Sequence, residues 1–362
     1  MSKLFEAVTL GGLPLGNRLV MAPMTRCRAT EDGLATAMMT TYYAQRAAAG
    51  LIISEGIQPS PIGQSGMYTP GLHEMRQVES WQPVTQAVHE AGGRIVAQLM
   101  HAGRIGHPSL YPTPHDKLAP SPIAATGQVF TPQGMCDFPV PREMTAADIR
   151  QTIDDFAAAA RNAVAAGFDG VEIHGGNGFL LHQFLSDHTN QRCDGYGGGI
   201  AARVRFVVEV VEAVVLAIGA DRTGLRISPG NPYNDMQESD TPELYRELLS
   251  RLPALAFLHV MEAGNRPQTC AVRAQWRGPL ILNPHETAES GPVSPQTARS
   301  VLDSGLADAV AFGALFIANP DLPARILTDG PYNTLDPNTL YGGGERGYTD
   351  YSPLSADQLE TV

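Results

Sequence analysis

The chain has 362 residues, of which 43% are apolar and 17% charged, with a formal net charge of −12 at pH 7. That length supports either two ordinary domains or one large barrel with insertions, and the composition is that of a globular protein, not a disordered one. The negative charge, with no Lys/Arg run longer than two residues, argues against nucleic acid or an anionic membrane as partner.

The opening Met-Ser-Lys-Leu-Phe-Glu lacks a basic segment followed by an apolar one, which predicts no signal peptide. The most apolar helical stretch, 204–218, is interrupted by Glu209 and Glu212, so no membrane span is expected. Cys27, Cys136, Cys193 and Cys270 are too irregularly spaced for a disulfide framework or a metal knuckle, and a reduced cytoplasm is the expected location. Apolar runs of strand length fall at 18–22, 51–55, 94–100, 170–174, 223–228, 257–261, 279–282 and 308–313. Between them lie helical patterns at 38–48, 75–91, 146–166, 201–218, 241–251, 295–304 and 321–327. Thr145 ahead of Asp148 reads as a helix start, as does Asp240 ahead of Pro242. Only the sixth crossover, 264–276, reads as weakly helical.

Continuously apolar strands alternating with helices mean a parallel sheet buried on both faces. Eight such units predict a (β/α)₈ TIM barrel spanning 1–362 as one domain. The rival, a doubly wound open sheet, lacks a G-x-G-x-x-G opening a helix after an early strand. Two excursions exceed ordinary loop lengths: 104–144, expected to be an active-site lid or cap, and the C-terminal tail 330–362.

In such a barrel the active face is built at the carboxyl ends of the strands. The polar residues collected there are Thr25, Gln98, His101, His174, Asn177 and Arg226. A Thr, Gln or Arg in that place is ordinarily a satisfied buried polar group. His174 and Asn177 stand out because glycines flank them and they lie three positions apart. His182, His188 and His285 read as structural or surface histidines, and Met100 and Phe179 as core.

Eight segments, in order along the chain, carry a resemblance. They are NRLVMAPMTR (17–26), YYAQRAAAGLIISE (42–55), TPGL (69–72), AQLMHAGR (97–104), EIHGGNGFLLHQFL (172–185), LRISP (225–229), FIANPDL (316–322) and GYTDY (347–351). Together they resemble the Old Yellow Enzyme family of FMN-dependent ene-reductases, in its classical branch. The resemblance implies an NAD(P)H-dependent flavoenzyme acting on an enone, enal or nitroalkene. It implies that Pro23, Met24, Thr25 and Gly56 border the flavin, with Thr25 bonding O4. Gln98 would hold the pyrimidine edge, Arg226 would face N1 and O2, and Gly313 and Ala314 would stand at the phosphate. His174 and Asn177 would donate to the substrate oxygen, with Tyr68, Met100 and Tyr351 on the substrate side.

Three positions depart from that pattern. Phe179 replaces the Tyr that delivers a proton to the α-carbon, a loss worth about 10²–10⁴-fold. Ala314 replaces the Arg that grips the FMN phosphate, worth roughly ten- to a hundredfold in affinity. Pro284, in the loop after strand seven, lacks the N–H a phosphate wants, and Glu286 and Glu289 follow it. These departures predict an atypical member, whose net reduction is slow or replaced by isomerisation. The alternative is a barrel with weakened or lost FMN binding that uses His174 and Asn177 for non-redox work on a carbonyl compound. A metal-dependent hydrolase is disfavoured, since strand one offers no His-x-His.

Overall fold

The computed structural model describes residues 2–111, 115–287 and 289–355. Eight parallel strands close into a barrel: β1 (Leu19–Met21), β2 (Leu51–Ile57), β3 (Ile95–Leu99), β4 (Gly170–Gly175), β5 (Thr223–Ile227), β6 (Phe257–Met261), β7 (Leu280–Asn283) and β8 (Ala309–Phe312). The pairs Val310↔Leu19 and Phe312↔Met21 join β8 to β1 and seal it. Each strand lies within two residues of an apolar run, because a strand buried on both faces carries its signal in every residue. β2 runs two residues beyond its expected end, with a register shift between Ile53 and Gly56.

The crossover helices pack outside, led by Ala146–Ala165, whose start is a complete capping box between Thr145 and Asp148. The expected 201–218 helix is two pieces, Ile200–Arg203 and Arg205–Ile218. The weak sixth crossover is corrected: Arg266–Gln275 is a regular helix. Its Asn265 side chain accepts the Gln268 N–H at 3.3 Å, and Pro267 sits in the first turn. Its buried face is mostly polar (Gln268 and Thr269 beside Val272), which is why apolar periodicity missed it.

An N-terminal hairpin went unread. Val8–Leu10 pairs with Leu13–Leu15 across a Gly11-Gly12 turn, in which Gly11 has φ 58°. The Gly-Gly pair is a hairpin signal, but strands of three residues are too short to show alternation. Leu10, Leu13 and Leu15 join Val20, Leu51, Val96, Phe257 and Ile281 in an apolar cluster at the strand starts. That plug closes one end of the barrel and leaves the carboxyl end for chemistry.

The 104–144 excursion holds a small hairpin, Gln128–Thr131 with Gly134–Asp137. Buried Arg104 ties the excursion to the loop after β5, donating to the carbonyls of Asn234 and Asp235 at 3.3 and 2.7 Å. Among the described residues, no helix is long and apolar enough to cross a membrane.

Candidate active site

A cleft of about 370 Å³ opens at the carboxyl ends of the strands. Pro23, Met24 and Thr25 after β1, Gln98 and Met100 from β3, His174 from β4, Arg226 from β5 and Ala314 after β8 all line it, together with Asn177 and Phe179.

The floor is a buried polar chain. The Glu172 carboxylate on β4 accepts from Gln98 Nε2 at 2.9 Å and from His259 Nδ1 at 2.7 Å. This assigns the Gln98 amide, with its NH₂ toward Glu172 and its carbonyl oxygen free for the cleft. Arg226 donates from Nη2 to Asn283 Oδ1 at 3.5 Å, while its Nε is buried without a partner among the described residues. Burial lowers the Arg226 pKa and Glu172 opposes the shift; a guanidinium stays charged regardless.

His174 sits above this floor. Its Nδ1 is buried and unpartnered among the described residues. Burial first, then the charge of Arg226, holds its pKa well below the usual imidazole range, so it is neutral at physiological pH. Asn177 follows two glycines and adopts φ 53°, a left-handed conformation that Asn tolerates better than most residues. Three bonds hold it. Its N–H donates to Ser228 Oγ at 2.7 Å, its carbonyl accepts from Asn234 Nδ2 at 2.8 Å, and its Oδ1 accepts from Asn231 Nδ2 at 3.0 Å. The last bond leaves the Asn177 NH₂ as the free end of the amide. A Cβ on Gly176 would lie 2.7 Å from Ser228 Oγ, so glycine there lets the turn close. The Phe179 ring lies 5.3 Å from the His174 ring.

His182 is structural: its Nδ1 accepts the Gly178 N–H at 2.9 Å, and its Nε2 bonds Glu238 at 2.7 Å. His101 is buried and accepts the Gly103 N–H, with a pKa brought down to about 3 by burial and Lys117. Gly56 makes room for Met100, whose Cε would lie 2.6 Å from a Cβ there. Gly313 abuts Met24, with Sδ 3.6 Å from the Cβ position. Two expected substrate-side tyrosines line grooves beside this cleft. Tyr68 lines a neighbouring cleft with Leu110 and Tyr111 of the excursion, and Tyr351 accepts the Asp336 N–H at 3.1 Å in a groove with Arg346.

The outer wall of the cleft was not anticipated. It consists of Tyr233, Leu335, Leu340 and Tyr341, the two tyrosines 59% and 68% exposed. The signal for Tyr233 was its place in a Pro/Gly-rich loop after a barrel strand; Tyr341 precedes the Gly342-Gly343-Gly344 run. Buried Arg26 holds this wall, donating to the carbonyls of Leu340 and Gly347 at 2.9 Å and of Thr339 at 3.3 Å. Arg28 adds a bond to Thr339 O at 3.0 Å.

Residues 3–333 match the model of the NADH:flavin oxidoreductase / NADH oxidase family. The chain belongs to this family. Among its relatives is a probable flavin mononucleotide-dependent alkene reductase of Leishmania infantum, 42% identical, with 96% of each chain covered. Another is 12-oxophytodienoate reductase 1 of Oryza sativa subsp. japonica, 39% identical over 94% of this chain and 90% of the relative. In structure, the old yellow enzyme homologue of Zymomonas mobilis matches with TM-score 0.92 at 39% identity, covering 97% of this chain and 99% of that one. Morphinone reductase in complex with tetrahydroNAD matches with TM-score 0.91 at 40% identity and 98% coverage of both. The chain is thus a flavin oxidoreductase of the Old Yellow Enzyme type, with FMN as cofactor and a reduced nicotinamide nucleotide as reductant. The unpartnered Arg226 Nε and the free Gln98 carbonyl suit the polar edge of a flavin ring. The phosphate end of the site is different.

Proposed function

We propose that the chain reduces an activated alkene, an α,β-unsaturated carbonyl or nitro compound, whose oxygen is held between His174 and Asn177. The observation that carries this is the pairing of a buried neutral imidazole with an amide whose NH₂ is left free by Asn231. Two neutral donors aimed at one oxygen favour the negative charge that grows on it as the β-carbon accepts hydride. A bound flavin would supply that hydride, with NAD(P)H as the reductant that renews it. Gln98 and Arg226 would hold the ring, and the Arg226 cation would favour its reduced, electron-rich form.

Phe179 has no acidic hydrogen to give the α-carbon, so the proton arrives from solvent. Where it arrives slowly, the substrate carbanion would rotate about its Cα–Cβ bond and return the hydride to the oxidised flavin, and the alkene would leave isomerised instead of reduced. Phe179→Tyr is expected to raise the rate of net reduction of 2-cyclohexenone by about 10²-fold or more, read as saturated product formed per unit time without oxygen; an unchanged rate would defeat the proton-donor argument. The rival reading, non-redox catalysis in a barrel with weakened flavin binding, draws on the carboxylates at the phosphate end. Colour separates the two: protein that stays colourless after incubation with excess FMN would refute the flavin reading.

A further inference from the structure

In (β/α)₈ barrels a ligand phosphate typically sits at the loops after strands seven and eight. Among the described residues, those loops offer little to an anion. β7 ends on Asn283, whose Nδ2 is committed to Ala311 O at 3.0 Å, and Pro284 next to it has no N–H. The following N–H, that of His285, donates to Glu262 Oε2 at 2.9 Å. The nearby cation is committed as well. Arg266 donates from Nε and Nη2 to the two oxygens of buried Glu262 at 2.6 and 2.9 Å, and its Nη1 lies 3.5 Å from Glu286. Thus the protein's own carboxylate takes the guanidinium and the backbone donor that an incoming phosphate would need. Glu289 adds a further negative charge to the loop, and burial lowers the His285 pKa from its ordinary value against the pull of Glu262. After β8, Ala314 reaches the cleft with a methyl group. Of the cations lining the cleft, Arg26 is engaged by three carbonyls and the Tyr42 hydroxyl, and Arg226 stands on β5, three strands from β8.

We propose that this barrel holds its flavin by the ring and ribityl chain alone, so that riboflavin and FMN occupy it with nearly equal affinity. The inference rests on the flavin reading above. It names the cofactor class as 7,8-dimethyl-isoalloxazines with a ribityl side chain, with or without the terminal phosphate. Charge selection is absent because phosphate finds neutral donors and an acidic rim.

The test is an equilibrium titration of the full chain, freed of bound flavin, with riboflavin and with FMN, followed by flavin fluorescence. The two dissociation constants are expected within about tenfold of each other; a larger preference for FMN, the size of a charge-assisted contact, overturns the inference and leaves the flavin reading intact. Binding of neither flavin removes both. In Ala314→Arg, FMN should tighten roughly ten- to a hundredfold while riboflavin stays unchanged. Equal tightening of both, or of neither, would show that position 314 does not face the phosphate and would count against the proposal.

Discussion

The Asn177 amide is a two-way switch held by one bond, and Asn231 is the residue that sets it. Asn231 Nδ2 donates to Asn177 Oδ1 at 3.0 Å, while Asn231 Oδ1 accepts the Tyr233 N–H at 3.0 Å. The Asn177 backbone is held independently by Ser228 and Asn234. Asn231→Ala removes the hold without opposing it. A neutral hydrogen bond is worth about 1 kcal/mol, or about fivefold in the population of the working amide orientation. A two- to tenfold fall in kcat/KM, about that factor, is therefore expected. Asn231→Asp keeps the volume and the acceptor for Tyr233 but sets a carboxylate against Asn177 Oδ1. The amide then turns its NH₂ toward Asp and its oxygen toward the substrate. Losing one oxyanion donor costs about 10²–10³-fold, so the near-isosteric variant should be the worse of the two. The assay is kcat/KM for 2-cyclohexenone, with the rate of flavin reduction by NAD(P)H measured separately and expected to hold. A purely structural role for Asn231 reverses the order, with alanine worse than aspartate, and that result would refute the reasoning.

Glu172→Ala strands Gln98 and His259, each bonded to the buried carboxylate. Two hydrogen bonds to a charged group are worth about 3–6 kcal/mol together, measured as a shift in the urea midpoint; a shift under 1 kcal/mol would mean that the floor relaxes around the loss. Glu55 is buried beside Tyr43, and desolvation raises its carboxyl from 4.5 to about 7. Between those values the folded state keeps a proton that the unfolded chain has released, so stability falls as pH rises through the window. Glu55→Gln should abolish that slope, gaining up to about 3 kcal/mol relative to the parent between pH 4.5 and 7; parallel stability–pH curves for the two proteins would rule it out.

How much of this was legible follows from where each signal resides. The barrel strands announce themselves residue by residue, since burial on both faces excludes polar residues except at the site. For the same reason Gln98, His174 and Arg226 could be collected at the strand ends, though only His174, with Asn177, stood out there, and the cleft brings them together. The hairpin at 8–15 was hidden by the shortness of its strands. The outer wall was illegible for a different reason. Tyr341 reaches the cleft because Arg26, more than three hundred residues earlier, binds the carbonyls on either side of it. A contact between a side chain and distant backbone leaves no pattern in local sequence.

That reach from the first strand to the last loop has a consequence for synthesis. Arg26 and Arg28 leave the ribosome more than three hundred residues before Thr339, Leu340, Gly344 and Gly347, whose carbonyls they bind. Until then the two guanidinium groups have only the Tyr42 hydroxyl and the Arg26 carbonyl to bond, and an under-paired buried charge is costly. The segment after β1 therefore settles only when residues 339–347 arrive. Completion of the fold and completion of the cleft become one event, and a polypeptide released short of residue 347 lacks both.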